Sequence, residues 1–180
     1  NVMTGRHRLE RCGLLAALLH TPRLARAEHE CRERALEWLR FLDLADAAGR
    51  RADTMPYGAL KRLEIARALA GEPRLLLLDE PAAGLNPTEA LEIAALIRRV
   101  AATGTTVVLV EHNMRLVMGV SDHILVLDHG RRLAEGTAEQ VRHDPRVIEA
   151  YLGAVTQAST EDTGCGAAAP APGATEAADA

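Results

Sequence analysis

Two adjacent carboxylates, Asp79 and Glu80, directly follow an uninterrupted run of four leucines, Leu75–Leu78. Burying a charge is costly unless it is paired or binds a cation, so acidic residues at this position point to chemistry. Neighbouring strand residues point to opposite faces, which gives the two carboxylates separate tasks. One suits a hard cation through its oxygen atoms, and the other can hold and deprotonate a water molecule. Taken alone, the pair fits ordinary strand-end and turn chemistry equally well.

A histidine and an asparagine belong to the same predicted edge. His112 follows a second apolar run over residues 105–111, and Asn86 lies on the turn after Glu80. Open parallel α/β sheets bind ligands at the carboxyl ends of their strands. A histidine there can donate a hydrogen bond to a phosphate oxygen, although a single histidine after a strand is often structural. Together these residues predict a phosphoryl-transfer site without its phosphate cradle.

The elements that must position these residues follow from apolar periodicity and turn chemistry. The unbroken leucine run predicts a strand covered on both faces. Further strands are predicted over residues 105–112, 123–128 and 131–136. Helices are predicted over residues 13–20, 23–48, 59–70, 86–102, 113–119 and 137–142. This order, helices first and then β-α-β-α-β-β, predicts an α/β fold: a helical subdomain, then a partial parallel sheet with flanking helices.

Composition excludes several classes of function. Only 2% of the 180 residues are aromatic, which argues against base stacking on single-stranded nucleic acid. The formal net charge is −4, so no basic field for nucleic acid is expected. Three widely spaced cysteines match no zinc pattern and predict reduced thiols. No apolar run is long enough for a membrane span, and residues 154–180 have the composition of a disordered tail.

Four segments together resemble the motifs of ATP-binding cassette (ABC) ATPases. Met55–Ala59 and the helix after it resemble the signature motif, and Leu75–Pro81 resembles the Walker B strand. Gly84–Pro87 resembles the D-loop, and Val110–His112 resembles the switch-histidine region. Four motifs in the family's order and spacing make the resemblance specific, and it covers residues 1–153. It implies a P-loop NTPase-like ABC cassette in truncated form.

The resemblance implies a role for each matching residue. Asp79 supports Mg²⁺ through water, Glu80 is the general base for the attacking water, and His112 contacts the γ-phosphate of ATP. In the D-loop, Asn86 reaches across a dimer interface; its neighbours there are Gly84 and Leu85. Gly58 donates its backbone N–H to ATP held by the opposite subunit. The other members of that signature are Met55, Pro56, Tyr57 and Ala59.

Departures from the family pattern are visible in two places. Pro56, Tyr57 and Ala59 replace the usual serine, glycine and glutamine of the signature, so the serine hydroxyl contact is lost. Asn86 replaces the common D-loop aspartate and removes one charge.

No G-x-x-x-x-G-K-[ST] sequence occurs in the 180 residues. That loop supplies the lysine and the backbone nest for the phosphates, so we expect this chain alone not to hydrolyse ATP.

Finer features resemble the ATPase subunits of bacterial branched-chain amino-acid importers. These features are the turn over residues 82–87, the segment Glu111–Met118 and the ending Asp144–Gly153. The resemblance implies a peripheral protein on the cytoplasmic face of the inner membrane, with ATP and Mg²⁺ as cofactors. The implied partners are a second ATPase subunit, membrane permease subunits and, indirectly, a periplasmic substrate-binding protein, with no nucleic acid. Amide or urea importers use similar machinery, so the substrate stays open.

The predicted organisation has four segments. Residues 1–54 form a helical subdomain, and residues 55–136 carry the signature helix and the Walker B, D-loop and switch elements. Residues 137–153 form a helical extension, and residues 154–180 form the tail. Two alternatives to a transport ATPase remain: a non-catalytic truncated remnant, favoured by the start at Asn1 and the missing phosphate loop, and a non-transport ABC ATPase.

Overall fold

The computed structural model describes residues 1–7 and 22–150. The chain divides into two compact units, and the second begins at His123. The predicted helix over residues 13–20 and the predicted disordered tail over residues 154–180 lie outside the described residues. Within the described ranges, no helix has both the length and the apolar character needed to cross a membrane.

The first unit contains five helices and two strands within its described part. They are α1 (Val2–Arg6), α2 (Pro22–Phe41), α3 (Tyr57–Leu69), β1 (Leu75–Asp79), α4 (Pro87–Ala102), β2 (Thr106–Val110) and α5 (Met114–Val120). Two short 3-10 turns, Ala45–Ala47 and Ala52–Thr54, connect α2 with α3. The described part of the second unit contains β3 (Ile124–Asp128), β4 (Arg131–Gly136), α6 (Ala138–Arg142) and a helical segment over residues 145–150.

The helix α2 ends at Phe41, before the end predicted at Ala48. Asp43 adopts a left-handed conformation with φ of 57°, and the N–H of Leu44 donates to the carbonyl of Leu39 at 2.8 Å. This is the hydrogen bond of a Schellman cap, in which glycine usually takes the left-handed position. Gly49, predicted as the cap, therefore lies beyond the helix end. The predicted helix end was wrong because Asp43, and not a glycine, adopts the left-handed conformation that ends the helix.

Two separate two-stranded sheets form. Strands β1 and β2 pair in parallel, with Leu75 opposite Thr106 and Asp79 opposite Val110, and α4 connects them. Strands β3 and β4 pair in antiparallel fashion around the turn at His129 and Gly130, as predicted. The parallel β-α-β unit is thus confirmed, and it brings the carboxyl ends of β1 and β2 to one edge.

The core of the first unit covers only one face of the parallel pair. Leu76 of β1 is buried with Leu69 of α3 and Val100 of α4. Fully burying a side chain of this kind stabilises the fold by about 1.5–3 kcal/mol. Alternate residues on the other face are exposed within the described chain: Leu75 (51%), Leu77 (68%), Val108 (46%) and Val110 (59%). The expectation of a strand buried on both faces is therefore wrong for the described residues, since α3 and α4 pack on one side alone.

Side-chain caps fix the start of three helices. Asn86 caps α4 in a reciprocal capping box with Glu89, with Pro87 as the first helical residue. Thr137 caps α6 in the same way with Gln140, and Asn113 caps α5. Each such cap satisfies backbone N–H groups that lack partners within the helix. The predicted starts of α4 and α6 are confirmed.

Candidate functional site

Glu80 and His112 lie side by side at the carboxyl end of β1 and β2. The Nδ1 atom of His112 is 3.3 Å from Oε1 of Glu80. Both side chains are largely open to solvent, with 75% of His112 and 51% of Glu80 exposed. Contacts between exposed groups add little stability, so the fold gains little from this pairing. Its importance lies in the chemistry that a base and an imidazole can perform together. The predicted convergence of these two residues at one sheet edge is confirmed.

A sharp turn after β1 determines the backbone position of Glu80. Its φ is 44°, a left-handed conformation that costs a non-glycine residue about 1–2 kcal/mol. The N–H of Glu80 donates to the carbonyl of Val110 at 2.9 Å, and the carbonyl of Glu80 accepts from the N–H of Ala83 at 3.1 Å. These hydrogen bonds hold Glu80 beside β2 in spite of its unfavourable backbone conformation.

Asp79 is the last residue of β1 and its side chain is exposed. Its carboxylate forms no hydrogen bond or ion pair with the rest of the described chain. A carboxylate in this state fits Mg²⁺, which proteins often bind through one or two carboxylates together with water and substrate phosphates. Over residues 1–7 and 22–150, no three His, Cys, Asp or Glu side chains form a metal-binding group. Asp79 therefore suits an ion that a substrate helps to hold.

The signature segment Met55–Ala59 lies at the start of α3. Pro56 is the N-cap residue and provides no side-chain cap, so the first N–H groups of the helix have no capping partner there. Gly58 is buried, and a Cβ atom at this position would lie 3.0 Å from Oε1 of Glu89. A carboxylate of the same chain thus approaches the positive end of α3, where negative charge is favourable.

The D-loop segment contacts the signature segment within one chain. A Cβ atom on Gly84 would lie 3.1 Å from Cε1 of Tyr57. Asn86 is exposed, and its Oδ1 accepts from the N–H of Glu89 at 2.9 Å. Leu85 packs partly against the core beside these residues. The sequence-predicted residues therefore form two contacting sets: Glu80 with His112, and Tyr57 and Gly58 with the start of α4.

Glu111 is a residue of the site edge that sequence reasoning did not assign to the site. Its Oε1 accepts from the backbone N–H of Ala82 at 3.0 Å, although the two residues are 29 positions apart in sequence. The bond joins the loop after β2 to the turn after β1. The available signal was a carboxylate directly before His112, but its partner is a backbone amide, which sequence does not reveal.

Two family models match the chain. One, described as "ABC transporter", matches residues 6–83 and so includes Met55–Ala59, Asp79 and Glu80. The other, described as "Branched-chain amino acid ATP-binding cassette transporter", matches residues 131–155. The first covers the signature segment and β1, and the second covers β4 and α6.

Curated relatives of the chain are ATP-binding proteins of transport systems. The high-affinity branched-chain amino acid transport ATP-binding protein BraF of Pseudomonas aeruginosa is 48% identical over 154 residues, which is 85% of this chain and 60% of BraF. LivG of Escherichia coli, with the same description, is 47% identical over an equal share. The lipopolysaccharide export system ATP-binding protein LptB of Acidithiobacillus ferridurans is 39% identical over 76% of this chain and 56% of LptB. The chain spans about 60% of the length of its first two relatives.

Solved structures agree with these relatives. The ADP conformation of MJ1267, an ATP-binding cassette of an ABC transporter, superposes with a TM-score of 0.67 at 30% identity. The match covers 84% of this chain and 62% of MJ1267. CbiO1 of Clostridium perfringens, part of the ABC transporter complex CbiONQ, has a TM-score of 0.62 at 27% identity, over 74% of this chain and 55% of that one.

Proposed function

This chain belongs to the family of ABC transporter ATP-binding proteins, and from this premise we propose that it provides the hydrolytic part of an ATPase subunit that drives the import of branched-chain amino acids. The observation that carries the proposal is the contact of His112 with Glu80, 3.3 Å apart, beside the free carboxylate of Asp79. A carboxylate base and an imidazole donor at one sheet edge suit attack of water on a phosphate.

Glu80 and His112 have distinct roles in this proposal. Glu80 accepts the proton of the attacking water, because it is exposed and held at the strand end by two backbone hydrogen bonds. His112 donates a hydrogen bond from its ring to the terminal phosphate of ATP and keeps the base close to it. Asp79 would hold Mg²⁺, which neutralises phosphate charge when bound.

The start of α3 is proposed to act on nucleotide held by a second ATPase subunit. Gly58 lies in the first turn of α3, where uncapped N–H groups and the helix dipole favour an anion. A bound phosphate would come close to the carboxylate of Glu89, so charge repulsion would limit binding to a phosphate accompanied by a cation. Asn86 of the D-loop is the N-cap of α4, the helix end that also carries Glu89. Asn86 is exposed and is available to the partner subunit.

The permease is proposed to dock on the helical segment before Met55. This proposal is supported by a cavity of about 180 Å³ between α1, α2 and the turns that lead to α3. Its lining combines apolar and basic side chains, among them Leu36, Met55, Arg32 and Arg50. Such a cavity can accept an apolar side chain from a short helix with acidic flanks. The subunit would then lie peripherally on the cytoplasmic face of the membrane.

Branched-chain amino acids are favoured over other cargo by the relatives. BraF and LivG are 48% and 47% identical to this chain, whereas LptB of a lipopolysaccharide export system is 39% identical. The description of the family model over residues 131–155 also names branched-chain amino acids, as those of BraF and LivG do. Uptake of labelled leucine, a simple amide and urea by cells expressing the protein with the permeases encoded beside it distinguishes the candidates.

The decisive experiment measures Mg-ATPase activity of the complete cassette, meaning the whole polypeptide translated from the gene that encodes these residues. Glu80→Gln should lower kcat by about 100-fold or more, as loss of a general base does. His112→Ala should lower it comparably. His129→Gln, on the turn between β3 and β4, is the matched control and should retain full activity. Equal activity of the Glu80→Gln and wild-type proteins would contradict the proposal.

The 180-residue chain by itself is proposed not to hydrolyse ATP. The support is the missing G-x-x-x-x-G-K-[ST] sequence, whose lysine and amides hold the phosphates in P-loop proteins. Purified chain should show no Mg-ATPase activity above that of its own Glu80→Gln variant. Activity that depends on Glu80 would show that another part of the chain binds the phosphates.

A further inference from the structure

The carboxylate of Glu111 bridges two loops at the edge of the parallel pair. Its Oε1 accepts from the N–H of Ala82 at 3.0 Å, and its Oε2 lies 3.4 Å from the backbone nitrogen of Asn113. Glu111 is half-buried, and Ala82 is buried with only 8% of its surface exposed. A hydrogen bond to a buried amide is costly to lose, because water cannot easily replace the acceptor.

The Ala82 end of this bridge lies in the turn that carries Glu80. The carbonyl of Glu80 accepts from Ala83 and that of Ala82 accepts from Leu85, which makes the turn compact. Glu80 itself has φ of 44°. A left-handed non-glycine residue persists only where its surroundings hold it there. The Glu111 carboxylate is one of the groups that hold this turn.

The other end of the bridge lies in the loop that carries His112. Asn113 is the N-cap of α5, and its Oδ1 accepts from the N–H of Leu116 at 3.2 Å. Glu111 therefore contacts the neighbours of both residues of the proposed catalytic pair. The side chains of that pair are 3.3 Å apart and exposed, so their own contact is too weak to set the geometry.

We propose that Glu111 is a positioning residue for ATP hydrolysis, which fixes the turn of Glu80 against the loop of His112 through its hydrogen bond to the Ala82 N–H. The inference rests on the proposed function of Glu80 and His112. Small misplacements of a catalytic group reduce rates strongly, by about 100-fold for a shift of 1 Å. Glu111 would thus act on kcat through Glu80 without touching the nucleotide.

The test uses three variants of the complete cassette. Glu111→Gln keeps one oxygen acceptor at full side-chain length for the Ala82 N–H, but its NH2 group cannot accept from the Asn113 nitrogen. Glu111→Asp keeps the charge but withdraws the acceptor from Ala82. Glu111→Ala removes both. We expect Glu111→Gln to retain kcat within about 3-fold, and Glu111→Asp and Glu111→Ala to lose about 10-fold or more, with KM for ATP changed less than kcat. Glu149→Ala, an exposed carboxylate removed elsewhere, should behave as the wild type.

Amide hydrogen exchange at Ala82 provides a second reading that is independent of activity. Exchange should accelerate in Glu111→Asp and stay slow in Glu111→Gln, and this pair of conservative variants decides the matter if Glu111→Ala does not fold. Retained kcat in Glu111→Asp with loss in Glu111→Gln would overturn the inference, because charge and not the hydrogen bond would then matter. If Glu80→Gln does not lower the ATPase activity of the complete cassette, the proposed function is overturned instead.

Discussion

The ring of Tyr57 lies against Gly84, with a Cβ built on Gly84 only 3.1 Å from Cε1 and 3.6 Å from the hydroxyl oxygen of Tyr57. The contact joins the start of α3 to the turn after β1. Gly84 is therefore sensitive to substitution for two reasons. The ring leaves little room for a Cβ atom, and the φ of Gly84, 75°, is left-handed. Both reasons can be tested separately.

Gly84→Ala should destabilise the first unit by about 1–2 kcal/mol from its backbone conformation alone. The approach to Tyr57 should add a smaller cost, because the ring is 51% exposed and can shift. Amide hydrogen exchange measures the effect within each compact unit separately.

A matched control exists in the second unit. Gly130 has φ of 76°, nearly the same as Gly84, but no atom lies within 4 Å of its added Cβ. Gly130→Ala should therefore show the backbone cost alone. Adding Tyr57→Ala to Gly84→Ala should remove the excess over Gly130→Ala. Equal costs of the two single alanine variants would show that the ring contact has no energetic effect.

Gly5→Ala should be among the more damaging substitutions in the described chain. A Cβ atom on Gly5 would clash with the backbone carbonyl oxygen of Arg67, so α1 would have to move away from α3. Overpacking of this kind costs about 1–3 kcal/mol. The displacement would also separate the ion pair of Arg6 with Glu72, whose atoms are 2.6 Å apart.

Urea unfolding of Gly5→Ala beside Gly49→Ala measures this effect. Gly49 has nothing within 4 Å of an added Cβ, so its variant should stay within about 0.5 kcal/mol of the wild type. If both variants unfold at the wild-type midpoint, α1 does not pack on α3 in solution.

Local signals in the sequence were sufficient to predict most helices and strands of the described residues, although α1 (Val2–Arg6) was not predicted. Asn86 and Thr137 mark helix starts because their side chains bond to backbone groups three residues away, which sequence spacing encodes. The run Arg131–Gly136 forms β4 as predicted because it follows the tight turn at Gly130. The convergence of Glu80 and His112 followed from the rule that parallel strands end at one edge.

Non-local features could not be predicted in this way. Leu77 is 68% exposed because burial depends on which other elements cover the strand, and a run of leucines does not show this. The end of α2 at Phe41 depends on the left-handed conformation of Asp43, which a sequence pattern predicts only for glycine. The bond from Ala82 to Glu111 depends on the fold that brings two loops together.

Asn86→Ala should destabilise α4 by about 1 kcal/mol, because the Oδ1 of Asn86 accepts from the N–H of Glu89 at 2.9 Å. Asn86→Asp keeps an acceptor and adds charge at the helix start, so its stability should match or exceed that of the wild type. Thr137→Ala is the comparison in α6, where the corresponding bond to Gln140 is longer, at 3.4 Å, and its loss should cost less. Thermal unfolding provides the measurement.

The Asn86→Asp variant also separates stability from function. If its stability is unchanged while ATPase activity of the complete cassette changes, the residue acts at the nucleotide site and not through the helix cap. Unchanged activity together with unchanged stability would limit Asn86 to capping.

The Asp144 carboxyl provides a test of pH dependence. The guanidinium of Arg146 donates to it at 2.7 Å and 3.1 Å, and this hydrogen bonding lowers the pKa of Asp144 below its ordinary value of 3.8. A group whose pKa is lowered by folding contributes stability above its unfolded pKa. That contribution is lost as the pH falls through the lower folded value. The turn before residues 145–150 should therefore loosen only in acid below pH 3.8.

Arg146→Gln should raise the pKa of Asp144 towards 3.8, because the largest cause of the shift is removed. The rise should be incomplete, since the backbone N–H groups of residue 146 and Val147 also lower this pKa. Carbon NMR titration of the carboxyl group measures it, with Asp53 as an internal control. The hydrogen bond from Arg51 lowers the pKa of Asp53 in the same way, and that value should not move in Arg146→Gln. An unchanged Asp144 titration would mean that Arg146 does not hold the carboxylate in solution.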